Sequence, residues 1–360
     1  MQFKDIEGQT VIANKLTEIA DSGRISHAMR FVGATAYGSL ALAVAYAQYI
    51  NCQRPVHYKE VAPGGLRADS CGECPSCKKY QALQHSDLHL YFPNTTTTKV
   101  KSKPSCAQFQ TDFREFLLEH NIMGTLENWY SSIGIENGQG IIRREDGEDV
   151  VRTLSLKAYE AKHKVVVVWM AEKMESPASN CILKELEEPY TGTVILLVAE
   201  SEDKLLSTVV SRTQLVAVPR PDIEGAVWVG DTMVREEERE EFAKMYVTWM
   251  RQLFKLNMAS LAAWVENLAG HKRETIKQYL AYAEEAVREC YVNHLAGRPL
   301  DMDFGDEKFN KSFPTMITDN NIEGLCAAFG EAIHAIERNA YAKTALMELS
   351  FRISKQLQKR

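Results

Sequence analysis

Apolar residues in the first half of the chain recur with two different periods. Residues 9–22 (QTVIANKLTEIADS) place Val11, Ile12, Leu16 and Ile19 at helical spacing. Met29 to Val32 follows as a short apolar strand, then a glycine-containing turn, then a helical run from about Leu40 to Ile50. Lys164 to Met170 is a continuous β-branched run and Thr193 to Ala199 is a second. Uninterrupted apolar strands of this kind sit in parallel sheets covered on both faces. Ser179 to Glu187 between them reads as a helix stopped by Pro189. The repetition of strand, helix and strand predicts an α/β sheet with helices on both faces.

Two stretches break this pattern. Residues 94–149 are irregular, with a threonine run at Thr95 to Thr98, glycines around Gly134 to Gly140, and some helix such as Phe113 to Glu119. After Pro219 the strand pattern largely stops. Phe242, Met245, Trp249, Leu253 and Leu256 share one helical face, and residues 276–290 and 322–356 repeat the helical period. An all-α second half beginning near Arg220 is predicted. A stripe of Ile333, Ile336, Ala340, Leu346, Leu349 and Ile353 is either core or a subunit interface.

Composition narrows the class. A chain of 360 residues is long for one core and suggests two or three domains. No apolar run approaches the roughly 18 residues of a membrane span. The opening MQFKDIEGQT lacks the charged-then-apolar layout of a secretory signal, which points to the cytoplasm. A net charge of −6 argues against a protein that grips nucleic acid alone. Lys99, Lys101 and Lys103 form a small basic group, read as a solvated loop.

Gly33-Ala34-Thr35-Ala36-Tyr37-Gly38-Ser39-Leu40 has the place and glycine spacing of a phosphate-binding loop, G-x-x-x-x-G-K-[ST]. Ser39 stands where the lysine for the β/γ-phosphates would be, and Leu40 where a hydroxyl would hold Mg²⁺. A plain strand–glycine–helix turn is the alternative. The run Val165 to Val168 ends in Trp169 and Met170, where a Walker B strand would carry its acidic pair, and Glu172 comes two residues late. Both losses fall in one site, which is expected to be inert in phosphoryl transfer.

Of the eight cysteines, Cys52, Cys71, Cys74 and Cys77 cluster as C-x18-C-x2-C-x2-C. Two-residue gaps let neighbouring thiolates share an ion, and four thiolates with no spare ligand suit structural Zn²⁺. An iron–sulfur cluster is the rival. Cys106, Cys181, Cys290 and Cys326 read as small buried apolar residues.

Val165 to Pro219 carries a more specific signal. It holds Asn180-Cys181-Ile182-Leu183-Lys184-Glu185-Leu186-Glu187-Glu188-Pro189 and Leu205-Leu206-Ser207-Thr208-Val209-Val210-Ser211-Arg212-Thr213. These resemble the clamp-loader family of bacterial DNA polymerase III, with its N-x-L-L-K-x-L-E-E-P and L-L-x-T-x-x-S-R-C. Gly8-Gln9, Ser26-His27-Ala28, the four cysteines and His85-Ser86-Asp87 resemble it too, and Glu337-Arg338-Asn339 more loosely. The likeness is dense over 1–93 and 157–219.

The resemblance implies an AAA+ core over 1–219, with a zinc module at about 52–77 and an insertion at about 94–156. A linker or reduced lid over 220–241 and a helical collar over 242–360 would follow. It implies a non-hydrolysing subunit, with the tau/gamma and delta subunits as partners and the sliding clamp and primed DNA reached through the complex. Arg212 falls at the family's arginine-finger position, so it would reach a neighbouring subunit's γ-phosphate. Read without the family, it is a surface arginine capping a helix or pairing with an acid. The family's cysteine after it is Thr213 here. The rival functions are an active ATPase switch and a stand-alone zinc-ribbon nucleic-acid binder.

Overall fold

The computed structural model describes residues 1–358 except 60, 136–138, 224–226, 230–231, 235, 256, 301 and 339. The chain forms two compact units, Met1–Glu224 and Gly225–Arg360.

The first unit is built on a parallel sheet. Its strands are β1 (Ala28–Val32), β4 (Leu88–Tyr91), β5 (Lys164–Trp169), β6 (Thr193–Ala199) and β7 (Gln214–Ala217), while β2 (Val56–His57) and β3 (Ala68–Asp69) pair separately. The order is β4-β5-β6-β1-β7, and every neighbouring pair is parallel. β5 and β6 are buried along their whole length, which is why their sequence does not alternate. Around the sheet run α1 (Thr10–Asp21), α2 (Ser39–Ile50), α3 (Pro75–Gln81), α4 (Cys106–Glu119), α5 (Leu126–Ser132), α6 (Arg144–Ser155), α7 (Ser176–Glu187) and α8 (Ser207–Val210). All twelve residues of α2 are buried, and its alternate alanines permit that close approach. Val11, expected on the inner face of α1, is instead 63% exposed.

Three expectations need correction. The 94–149 stretch is not irregular throughout: α4, α5 and the start of α6 occupy about half of it. α4 begins on a capping box in which Ser105 and Gln108 bond each other's backbone, a signal legible in Ser105-x-x-Gln108. The Met29–Val32 strand is not purely apolar, since it contains the buried Arg30. Of the scattered cysteines, Cys106 and Cys290 are buried, but Cys181 and Cys326 are only partly so.

The motifs shared with the clamp-loader family prove to be joints. Gln9 donates from Nε2 to the carbonyls of Tyr37 and Pro219, both at 2.8 Å. His27 Nε2 meets the Leu186 carbonyl at the end of α7, at 2.9 Å. Asp87 accepts the backbone N–H groups of Tyr159, Glu160 and Ala161, fixing the chain that enters β5.

The second unit holds a hairpin of β8 (Val227–Val229) and β9 (Thr232–Val234), then α9 (Glu236–Lys255), α10 (Met258–Ala269), α11 (Arg273–Ala296), α12 (Glu307–Ser312), α13 (Ile322–Glu337) and α14 (Ala342–Leu357). Trp249 stacks on Trp264 at 4.5 Å, and its Nε1 donates to Ser350 Oγ at 3.0 Å. Ile336, Leu346, Leu349 and Ile353 lie in this unit's own core, and Ala340 is exposed. Residues 220–241 are described only in part, and Leu256 and Asn339 lie outside the described residues. Among the described residues no helix is long and apolar enough to cross a membrane.

Candidate functional site

The loop after β1 runs from Gly33 to Gly38, and Ser39 and Leu40, which follow it, are buried. Gly33 abuts the chain leaving β7: a Cβ there would lie 2.4 Å from the Val218 carbonyl oxygen. Gly38 has φ +81° and starts α2, a conformation that disfavours any side chain. Ser39 is buried and its Oγ donates to the Gly33 carbonyl at 3.3 Å. Leu40 is also buried. The side chains where a lysine and a magnesium-binding hydroxyl would stand therefore point into packing.

Trp169 and Met170, at the Walker B position, are buried. Trp169 packs against Phe113 and Phe116 of α4, with ring centroids at 5.5 and 6.0 Å. Phe92 stacks on Phe113 at 3.7 Å, and Trp129 of α5 meets Phe113 edge-on at 5.0 Å. Trp129 Nε1 donates to the Pro93 carbonyl at 2.8 Å. The insertion is thus fastened by aromatic packing to the carboxyl end of β5. Met170 adopts φ 54°, a left-handed conformation costing about 1 kcal/mol or more outside glycine.

The turn between α4 and α5 completes the filling. Ile122 is buried and, with Gly124, borders the same space as Gly33, Ser39 and Trp169. Met123 lies over Gly38, whose Cβ would come 3.3 Å from its sulfur. The cavity left is ≈ 10 Å³, about the room one water needs. Glu172 does not replace the missing acids in the loop. Its Oε1 accepts the Glu200 N–H at 3.2 Å, and burial pushes its pKa up.

The four cysteines predicted as ligands converge. Their sulfurs all lie within 4.8 Å of one another, and Cys71 and Cys77 are 3.9 Å apart. Tetrahedral Zn–S bonds near 2.3 Å place sulfurs about 3.8 Å apart, so the set fits a closed four-thiolate site. The backbone N–H groups of Cys71, Cys74 and Cys77 donate to the sulfurs of Cys52, Cys71 and Cys74, which favours thiolate. The Cys52 thiol is drawn down to about 5, chiefly by its hydrogen bond with Cys77, while Cys77 is pushed up by that same bond. Adjacent thiols cannot all ionise without a cation among them. The cluster could hold a metal.

Arg212 follows α8 with about a third of its side chain exposed. Its Nη1 donates to the Thr208 carbonyl at 3.0 Å, and its Nε to Glu187 Oε1 at 2.5 Å. The cap and the acid pair that a lone arginine would make are both present. Lys99, of the small basic group, lies 3.6 Å from Asp112.

Two features escaped the sequence reading. The first is the filling turn at 121–124, which has no motif. The second is Arg30, visible as a charge inside an apolar strand. A buried arginine must be paired, and Arg30 is, beneath the Arg212 turn.

A parallel β4-β5-β6-β1-β7 sheet with a glycine loop after β1 defines an α/β protein, here with a cluster of four cysteines and a helical second unit. Residues 8–222 match the family model for DNA polymerase III, delta subunit, and the chain belongs to that family. Similar relatives are DNA polymerase III subunits delta'. That of Bacillus subtilis is 26% identical over 208 residues, covering 58% of this chain and 46% of the relative. That of Pseudomonas aeruginosa is 29% identical over 201 residues, 55% and 45%. That of Escherichia coli is 24% identical over 273 residues, 75% and 63%. The chain spans about half the length of the first two relatives. A solved gamma subunit-related protein from Thermotoga maritima aligns over 95% of this chain and 99% of its own, at 15% identity and a TM-score of 0.33.

Proposed function

We propose that this chain is a non-hydrolysing subunit of a bacterial DNA polymerase III clamp loader, and that it lends Arg212 to ATP held by a neighbouring subunit. The observation that carries the reading is the filled phosphate-loop position. Buried Ser39 and Leu40 stand where a lysine and a metal-anchoring hydroxyl would be expected, and Ile122 and Trp169 border the small cavity beside them. Family membership supplies the context. A guanidinium donated in trans neutralises charge that develops on the transferring phosphoryl group, and such residues are worth about 10³–10⁵ in rate in GTPase systems.

In this reading the first unit is an AAA+ core without a working nucleotide site, and the second is a collar that joins the ring. The tau/gamma and delta subunits are the partners, in the cytoplasm, and the sliding clamp and primed DNA are reached through the complex. Cys52, Cys71, Cys74 and Cys77 hold one Zn²⁺. The ion, when bound, ties Cys52 to the 71–77 segment as a structural cross-link, and no open ligand position is left for chemistry.

The test is reconstitution with the tau/gamma and delta subunits. Arg212→Ala should assemble normally and lower DNA-stimulated ATP turnover by at least tenfold. Unchanged turnover overturns the donor role, and ATP hydrolysis by the isolated chain overturns the non-hydrolysing role.

A further inference from the structure

The residue that sets the position of Arg212 lies beneath it, on β1, the strand next to the edge strand β7. α8 has only four residues and cannot hold itself together by its own hydrogen bonds. Its last carbonyls need partners, and the chain must turn at once into β7. The N–H groups of Ser211, Arg212 and Thr213 serve the carbonyls of Ser207, Val209 and Val210, and Arg30 of β1 adds a side-chain donor at the end of the turn. Its Nη1 donates to the Val210 carbonyl at 3.1 Å and to the Thr213 carbonyl, and lies 3.3 Å from Thr213 Oγ1. Its Nε and Nη2 both donate to Glu202 Oε2 at 3.1 Å. Thr213 Oγ1 in turn donates to the Val209 carbonyl at 2.9 Å. The Arg30 side chain is 9% exposed.

One buried guanidinium therefore grips the backbone on both sides of Arg212 and anchors it to β1 of the sheet. Glu202 sits on the turn after β6, so that turn, the end of α8 and the residue before β7 are tied to one planar group. A lysine could not do this, because only the arginine fork presents donors in several fixed directions. Thr213 belongs to the same device: its hydroxyl completes the polar pocket around the guanidinium where the family pattern has cysteine.

We propose that Arg30 is a positioning residue for Arg212, fixing where the donated guanidinium enters the neighbouring nucleotide site. This rests on the donor reading of Arg212. Charge stabilisation of a transition state depends on preorganised placement, and a misplacement of about 1 Å costs about 10² in rate. Arg30 touches no nucleotide. Its effect must pass through Arg212 alone, and that requirement makes the idea testable.

The experiment is a double-mutant cycle in the reconstituted clamp-loader assembly, with Arg30→Met, Arg212→Ala and the double variant. Incorporation is checked by gel filtration, and kcat and KM for ATP are read separately. Arg30→Met should lower kcat about tenfold or more, with KM within twofold. The double variant should be no slower than Arg212→Ala. If Arg212→Ala leaves turnover unchanged, the donor reading fails. If Arg212→Ala lowers it but Arg30→Met does not, or if the two losses multiply, the positioning role fails while the donor reading stands. Should Arg30→Met not enter the assembly, Arg30→Lys takes its place under the same criteria.

Discussion

Arg212 and Glu187 are joined at the surface of the first unit, the arginine Nε donating to Glu187 Oε1 at 2.5 Å and Nη2 pairing with the same oxygen. The arm is folded back against the end of α7. A phosphate on a neighbouring subunit would have to win the guanidinium from this carboxylate. Both side chains are a third or more exposed, so the pair adds little to stability. Glu187→Gln should shift unfolding free energy by no more than about 0.5 kcal/mol in a urea titration. Turnover of the assembly should stay equal or rise. A fall matching that of Arg212→Ala would mean that Glu187 orients the arginine and does not compete for it.

Restoring the lysine should not restore nucleotide binding. Ser39 is buried between Gly33 and the Trp169 end of the sheet, and ≈ 10 Å³ is left there. Ser39→Lys would bury an unpaired ammonium, a change costing about 3–5 kcal/mol. The expected outcome is a large drop in Tm and no binding of a fluorescent ATP analogue. Tight binding with unchanged stability would show that the site opens readily.

Ile122 should count as a core residue although it sits in a turn. Its side chain is buried against the phosphate-loop position. Ile122→Ala is expected to cost about 2–4 kcal/mol, measured by chemical denaturation. A cost under about 0.5 kcal/mol would mean that the turn rests on the loop without support from it.

Removal of the metal should unfasten the module. With all four thiolates bound, metal analysis should find one zinc per chain. Cys74→Ser or strong chelation should lower Tm and raise the count of thiols that react with Ellman's reagent by more than one. A Tm indifferent to chelation would rule out a structural ion.

Asp87 predicts a pH dependence. Burial raises its pKa, but the N–H groups of Glu160, Tyr159 and Ala161 outweigh burial and hold it below the usual carboxylate value. A depressed folded pKa adds stability above the unfolded value, near 3.9, and loses it as pH falls through the folded one. The difference in stability between the protein and Asp87→Asn should therefore be full above about pH 5 and shrink below about pH 4. A difference that stays constant down to pH 3 would contradict it.

The sheet was legible because β5 and β6 are buried on both faces and leave an unbroken apolar record. The convergence of the four cysteines was legible in their two-residue gaps. The apolar end of β5 at Trp169 and Met170 was legible, but its packing partners were not. That Trp169 is where the insertion docks depends on Phe113 and Phe116, some 50 residues away, and no local period carries such a contact. α5 hid behind its polar composition, and only the Thr125–Asn128 capping box marks its start. Arg30 was in plain view, yet a strand pattern averages over one charge.

The aromatic cluster gives the first unit an optical signature. Residues 1–224 contain two tryptophans, Trp129 and Trp169, and both sit in that cluster against Phe113 and Phe116. The indole emission of this unit therefore comes wholly from the seam between the insertion and β5. With Trp228, Trp249 and Trp264 replaced by phenylalanine, a red shift would report the insertion lifting from the sheet, in real time and without a label.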